Sequence, residues 1–405
     1  MQFFDIVELL HQTFGGNFRA LEFFNELFKQ NPRKIKTSLT SLEKFHESYK
    51  NEAEDVKTQM GQNLVFHNLL ALLESDQMAM LALLSHFRIP VQTFAIDLQL
   101  GNPQNQLELD NQLLTLHNLT LLEISLDRTN QTVYYYCTPI VKDLLASVEK
   151  EKTNLSFSHQ KAGIYYYYNY HNLSSVLTEL EEAFYHFYRA QIQDKVNEIG
   201  DYLSALYYSY SLYKNAFFYA VNTYKLLADN TSYGLLNRLG LILDLYGEYD
   251  QALGFYQKAF DGYLKIGDKS GEGTTLNNIS QIFKARGDYE TALSYLERSL
   301  KISQEIGDKS GMIATLHNMA IIAYENEDYE KYFEYESQAY QMAFEINDAM
   351  GLFHVGQSYG QILYAMGRKE EGIQIIKISY AIGQQAGFPN LEQLAALIDQ
   401  LEESK

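Results

Sequence analysis

Between residues 276 and 300 the apolar positions carry helical spacing. Leu276, Ile279, Ile282 and Phe283 share one face, "RGDYE" (Arg286–Glu290) interrupts, and Ala292, Leu293, Leu296 and Leu300 form a second stripe. The pattern predicts two helices joined by a turn. It recurs at a step of forty residues: "LNRLGLILDLYGEYDQALGFYQKAF" (Leu236–Phe260), "LNNISQIFKARGDYETALSYLERSL" (Leu276–Leu300), "LHNMAIIAYENEDYEKYFEYESQAY" (Leu316–Tyr340) and "GQSYGQILYAMGRKEEGIQIIKISY" (Gly356–Tyr380). Small residues keep the same phase. One series is Gly240, Ser280, Ala320 and Gly360; a second is Ala252, Ala292 and Gly372, broken by Tyr332; a third is Ala259, Ser299, Ala339 and Ser379. Such periods mean stacked units, none able to bury its own apolar face alone. Helix axes approach closely only where side chains are short. With four or five large side chains buried per unit at ~1.5–3 kcal/mol each, stacking outweighs any single surface interaction.

The hexamer "IGDKSG" at Ile266–Gly271 and Ile306–Gly311 punctuates this repeat. Gly267 and Gly307 are expected to close a helix in the left-handed conformation. Asp268 and Asp308 are expected to cap the next one. "INDAMG" carries Asn347 at the same place, and Asn is the next-best left-handed residue; Gly387 follows in phase. A phosphate loop is the competing reading, but it needs GxxxxGK[ST], and the chain has no Gly-Lys pair.

The pattern L-x-x-x-G/A/S-x-x-F/L, then A-x-x-x-Y/L and a small residue, resembles tetratricopeptide repeats of the longer, roughly forty-residue kind, without Trp and mostly without the terminal Pro. The resemblance implies a mainly α protein, with a right-handed α-solenoid over 233–405 ending in a capping helix, "NLEQLAALIDQLEESK". The aromatic-rich helical stretch 151–232 is expected to continue the array as degenerate repeats.

Residues 61–150 read differently. Two helical stripes lead to Pro90, which suits the first turn of a third helix. "NQLELDNQLLTLHNLTLLEIS" reads as a helix running into a strand, and "LLEISLDRTNQTVYYYCTP" as a hairpin around "DRTNQ". Together they predict a winged-helix domain. Winged helices usually suggest DNA, yet residues 62–150 carry four Lys or Arg against nine Asp or Glu, and Gln104–Thr120 carries no Lys or Arg. Phosphate contacts dominate DNA affinity, so nucleic acid is disfavoured as a partner, and a winged-helix transcription regulator is the alternative function.

A winged helix followed by tetratricopeptide repeats resembles the C-terminal part of the STAND (NB-ARC-like) signal-transduction ATPases. "TFGGNFRALEFF" (Thr13–Phe24) is similar to that family's lid motif, with Gly16-Asn17-Phe18 in place of Gly-x-Pro and Arg19-Ala20-Leu21 matching the helix start. The segment 1–60 is therefore expected to be a helical lid remnant. Phe18 replaces the lid proline, Thr138-Pro139 stands where the family has His-Pro, and no P-loop is present. Nucleotide binding does not carry over. The resemblance implies the C-terminal, regulatory sensor portion of such a protein, either truncated or acting with a separately encoded P-loop ATPase.

Composition fits an interaction protein. The 405 residues carry a net charge of −19, 33 Tyr, five Pro and no Trp, which points to an ordered chain with a Tyr-packed interior and weak attraction to polyanions. Cys137 is the only cysteine, so no intrachain disulfide is possible and a reducing, cytoplasmic setting is expected. No stretch reaches the ~18–20 apolar residues of a membrane helix. No cofactor and no enzymatic activity are expected. The ten His include no HExxH. Glu182 and His186 lie four apart on one helix, a spacing that fits a structural pair better than a catalytic one. Asp244 in "LILD" lies in a repeat helix and not on an ATPase strand. "YYYY" (Tyr165–Tyr168) suits core packing more than ligand stacking.

The first helix of each unit is expected to line a concave face. Its rows are Asn237, Asn277, His317 and Gln357; Leu241, Gln281, Ile321 and Gln361; and Asp244, Lys284, Tyr324 and Tyr364, with Asn278 and Asn318 flanking the first. Amides at fixed spacing can bond both the N–H and C=O of an extended peptide, with the tyrosines as amphipathic anchors. The same residues could equally be a solvated polar face, and both readings stand at this point. Only Lys284 is basic in these rows, so a ligand held by its C-terminal carboxylate is disfavoured.

Overall fold

A computed structural model describes residues 66, 69–93, 95–96, 106–127, 129, 132–148, 155–388 and 391–404. The expected lid segment, with Gly16, Asn17 and Phe18, lies outside the described residues, as does most of the short helix expected after Pro90. The chain divides into two compact units, 1–199 and 200–405.

In the first unit the described elements are α1 (Ser75–Ser85), α2 (Gln106–Asn118), β1 (Glu123–Asp127), β2 (Thr132–Tyr136), α3 (Pro139–Val148), α4 (Leu155–Asn169), a π turn (Tyr170–Ser174) and α5 (Leu177–Arg189). A capping box starts α1, in which Glu74 accepts from the backbone of Gln77 and the Gln77 side chain bonds back to the Glu74 amide. β1 and β2 pair antiparallel, Glu123 opposite Tyr136 and Asp127 opposite Thr132, so the hairpin closes around "DRTNQ" as its turn residues predict. Val91 adds a bridge to Tyr135, exchanging amide–carbonyl bonds of 2.9 and 2.8 Å. Leu113, Leu116, Val141 and Leu145 are buried beneath these elements. Of the four consecutive tyrosines, Tyr165 and Tyr166 are buried. The Tyr166 hydroxyl donates to the Ile89 carbonyl, and the Gln92 amide donates to the Tyr165 hydroxyl, both at 3.2 Å. Those rings are core, each with its polar tip satisfied.

α6 (Gln193–Ser209) spans the boundary between the units. The second unit continues with α7 (Tyr213–Leu227), then four hairpins: α8 (Tyr233–Leu245) with α9 (Tyr249–Ile266), α10 (Lys269–Ala285) with α11 (Tyr289–Ile306), α12 (Lys309–Glu325) with α13 (Tyr329–Ile346), and α14 (Ala349–Ala365) with α15 (Lys369–Ala386). α16 (Leu391–Glu403) covers the last hairpin, burying Leu394 and Ile398 against Phe353 and Ile376.

The punctuation works as its residues dictate. Gly267, Gly307, Asn347 and Gly387 take φ of 74, 70, 55 and 70° at the helix ends. Asp268, Asp308 and Asp348 accept from the amides of Gly271, Gly311 and Gly351 at 3.0, 2.9 and 3.1 Å. The three small series lie inside the packed array: Ser280, Ala320, Ala252, Ala292, Ala259 and Ala339 are fully buried. A Cβ on Gly372 would run into the Gly360 carbonyl and the Tyr364 amide. Core clusters cross from one hairpin to the next. Leu243, Ala252 and Tyr256 pack with Ile279 and Ile282; Ala292 and Leu296 pack with Met319 and Ile322. The first helices of successive hairpins also touch each other, α8 to α10, α10 to α12 and α12 to α14. No described helix is long and apolar enough to cross a membrane.

Candidate binding face of the repeat array

The first helices place the expected rows as follows. Their asparagines form a ladder between hairpins. The Asn278 side chain donates to the Asn237 amide oxygen at 3.2 Å, and one step on the Asn318 side chain donates to that of Asn277 at 2.6 Å. Asn277 donates in turn to the Thr315 hydroxyl at 3.0 Å. Neither sequence reading anticipated this, because both treated each amide as free. The ladder uses one amide from each of two neighbouring first helices and ties them in register. Replacing Asn277, Asn278 and Asn318 together by Ala would thus remove three bonds worth about 0.5–1.5 kcal/mol each, as well as any ligand contact.

Gln357 and Gln361 donate back to carbonyls of their own helix, those of Phe353 (2.8 Å) and Gln357 (3.2 Å). Gln281 is half-buried and its amide nitrogen has no protein partner. Burial pushes the Asp244 carboxyl up, opposed by Lys284; burial likewise pushes the Lys284 amine down, opposed by Glu325 and Asp244. Tyr364 is committed elsewhere. Its hydroxyl lies 3.2 Å from the carbonyls of Leu401 and Ser404, and Lys369 sits over its ring, so it holds the C-terminal helix rather than standing open as an anchor.

The third hairpin differs from the others. At the position of Tyr256, Leu296 and Ile376, all fully buried, α13 carries Glu336, which is also fully buried. His317, the third member of the first row, meets its carboxylate at 2.8 Å through Nδ1. Burial pushes the Glu336 carboxyl up, and the bond from His317 pulls it back. Tyr332 interrupts the second small series of the same helix. Two clefts open here, both against α14. One, of about 460 Å³, is lined by His317, Asn318 and Ile321 from α12 and by Asp348 and His354. Burial holds the His354 imidazole below its usual range, and His317 nearby adds to that. The other, of about 690 Å³, brings together Tyr324, Tyr332, Phe333, Gln361 and Met366. Five of the expected residues, His317, Asn318, Ile321, Tyr324 and Gln361, thus line clefts. Asn237, Asn277 and Asn278 lie in the ladder, which Asn318 also joins.

His354, Asp348, Glu336 and Tyr332 were missed. The signal for the last two was in the sequence: each breaks a position that the other three hairpins keep small or apolar. The spaced pair of the first unit is not a dyad. His186 is fully buried and bonds His159, Nδ1 to Nδ1 at 2.8 Å, while Glu182 pairs with Arg88 at 3.3 Å. Among the described residues no three His, Cys, Asp or Glu side chains are grouped to hold a metal ion. Cys137 is buried, which pushes its thiol up to about 12 and leaves it unreactive.

With this geometry in view, the comparisons with known proteins can be placed. Residues 271–343 match the tetratricopeptide repeat family. That match falls on the second and third hairpins. No curated protein sequence matches the chain. Among solved structures, a Signal Transduction ATPase with Numerous Domains (STAND) carrying a tetratricopeptide repeat sensor, from Pyrococcus horikoshii, is 14% identical with a TM-score of 0.53. The match covers 87% of this chain and 54% of that one, so the chain spans about half the length of that protein. The Rap conjugation gene regulator of plasmid pLS20, solved with the Phr* peptide, is 13% identical with a TM-score of 0.47, covering 66% of this chain and 74% of its own. The fold is a mainly helical, tetratricopeptide-like solenoid, and the STAND protein matches the resemblance drawn from the sequence, as a likeness of fold.

Proposed function

We propose that this chain is a non-enzymatic interaction module whose repeat face binds an extended protein or peptide segment at the third hairpin. The observation that carries this reading is the pair of broken rules in α13. Equivalent positions are Tyr256, Leu296 and Ile376 against Glu336, and Ala252, Ala292 and Gly372 against Tyr332. A buried carboxylate lacking a partner is worth about 3–5 kcal/mol of instability. His317 offsets that by pairing with it, and lines a cleft beside Asn318 and His354. Departures from packing rules of this kind concentrate at functional sites. In this cleft a peptide backbone would meet the amide oxygen of Asn318 and the partly exposed imidazole of His317.

The same reading makes 61–150 a winged-helix-like relay, 151–232 degenerate repeats, and the whole chain the sensor part of a STAND-type system that works with a P-loop ATPase in the cytoplasm. The order α1, α2, hairpin, α3 supports the relay, and the STAND likeness supports the system. DNA binding by this element is the alternative; α2 presents no Lys or Arg to phosphate, which disfavours it.

The test uses the chain's own second hairpin as a template. In the double variant His317→Asn, Glu336→Leu the third hairpin takes the residues found at Asn277 and Leu296, so folding has an internal precedent. Peptides selected by display on the wild-type protein should lose tenfold or more in affinity for this variant. If no peptide enriches, or if selected peptides bind both proteins equally, the third hairpin is not the binding face.

A further inference from the structure

The hairpins also show, within one chain, what a cation site at their turn looks like. Arg286, at the end of α10, reaches back to the start of α9. Its guanidinium lies 5.8 Å from the Tyr249 ring centre and 2.7 Å from the Asp250 carboxylate. Two periods on, Tyr329 and Glu330 repeat Tyr249 and Asp250, but Met366 stands where Arg286 would. The receptor half is kept and the cation is gone. One period on, at Tyr289 and Glu290, the equivalent of Arg286 is Asn326, and the second hairpin carries Lys284 where the third has Tyr324.

Only the third turn couples the lost arginine to an open aromatic cleft. Tyr324 lies 6.1 Å from Tyr329 and 5.1 Å from Tyr332, ring centre to ring centre, with planes at 73 and 58°. Tyr329 and Tyr324 are 61% and 53% exposed, so their faces are open to a ligand. Glu330 and Met366 complete the wall of the 690 Å³ space. The stretch 325–334 holds Glu325, Glu327, Asp328, Glu330 and Glu334 against a single base, Lys331, which is tied to Asp328 at 3.2 Å. Among the described residues no Lys or Arg of the chain sits over Tyr324, Tyr329 or Tyr332. The electron-rich ring faces and the carboxylate both select positive charge.

We infer that this cleft is a cation subsite that takes a basic side chain, Arg or Lys, of the bound segment in the place that Arg286 fills on Tyr249. This deepens the interaction-face reading and rests on it for the identity of the ligand. The subsite itself can be tested without any peptide. The probe is N-acetyl-arginine methylamide, with its uncharged citrulline analogue as control, titrated into full-length protein with ¹³C-labelled isoleucine methyl groups. Ile362 lines the cleft and reports. Each exposed cation–aromatic contact or ion pair is worth about two- to fivefold in affinity, so saturation at millimolar order is expected.

The Ile362 methyl should shift with the arginine probe and respond at least about threefold more weakly to the citrulline probe. Glu330→Gln and Tyr329→Ala, both at exposed positions, should each weaken the response two- to fivefold. Met366→Arg copies Arg286 and should abolish the response by supplying the cation from within. The double variant His317→Asn, Glu336→Leu should respond like wild type, which separates failure of the peptide face from failure of this subsite. Equal shifts with both probes, no shift at well above millimolar concentration, or an unchanged response in Tyr329→Ala and Met366→Arg would each overturn the inference.

Discussion

Acidification should destabilise the first unit through its buried histidine pair, and the effect can be worked out from one shift. His159 is 6% exposed and His186 is fully buried, their Nδ1 atoms 2.8 Å apart. One must donate and the other accept, so the two cannot both be charged, and burial keeps both neutral at pH 7. Burial, with His86 and Arg189 nearby, lowers His159 from its ordinary 6.5 to about 4; burial, with His159, His86, Arg88 and Lys142, holds His186 well below its usual range. In the unfolded chain both titrate near 6.5. Below that pH the unfolded state binds more protons than the folded one. The stabilisation is therefore complete above pH 6.5 and lost as pH falls toward 4. For His159 alone the loss between pH 7 and pH 5 is at most about 2 kcal/mol, with His186 adding in the same direction. Glu182, whose carboxyl burial pushes up against the pull of Arg88, changes stability in the opposite sense. The informative quantity is thus the difference between wild type and His159→Gln, which keeps a hydrogen-bonding partner for His186 but cannot charge. Amide hydrogen exchange of α4 and α5, read at pH 7, 6 and 5 and corrected for intrinsic rates, isolates this unit. Wild type should lose about 1–2 kcal/mol more protection than His159→Gln between pH 7 and 5. Equal slopes, or no loss in wild type, would refute the argument.

Two further outcomes follow from the repeat geometry. Glu327 holds φ of 59° at the turn where Gly247, Gly287 and Gly367 hold 77, 76 and 87°. Glu327→Gly removes a strain of roughly 1–2 kcal/mol at some loss to chain entropy, so urea unfolding should show about 0.5–1 kcal/mol of added stability. Gly372→Ala drives a Cβ into the backbone of Gly360 and Tyr364 and should cost about 1–3 kcal/mol, whereas Gly254→Ala, with open space on an exposed face of α9, should stabilise by up to about 1 kcal/mol; urea midpoints distinguish the two signs.

The legible part of this protein was the part written in short-range rules. Helical spacing, a left-handed residue after each second helix and an Asp cap before three of the four first helices act within four residues, so a forty-residue register could be read without coordinates. The same held for the hairpin around "DRTNQ" and for the small series that set helix contacts. Side chains committed across hairpins were not legible. Asn278 meets Asn237 at a separation of 41 residues, His317 meets a carboxylate that the repeat pattern marks as apolar, and Tyr364 turns to a helix 37 residues on. A row read from one helix shows which residues share a face; it does not show which of them neighbouring helices have already bonded. Sequence alone therefore determined the array and its period, because local propensity and periodic burial suffice for those. Only the tertiary structure decided which polar groups are spent on stacking and where the third hairpin opens, because those depend on partners that no local spacing specifies.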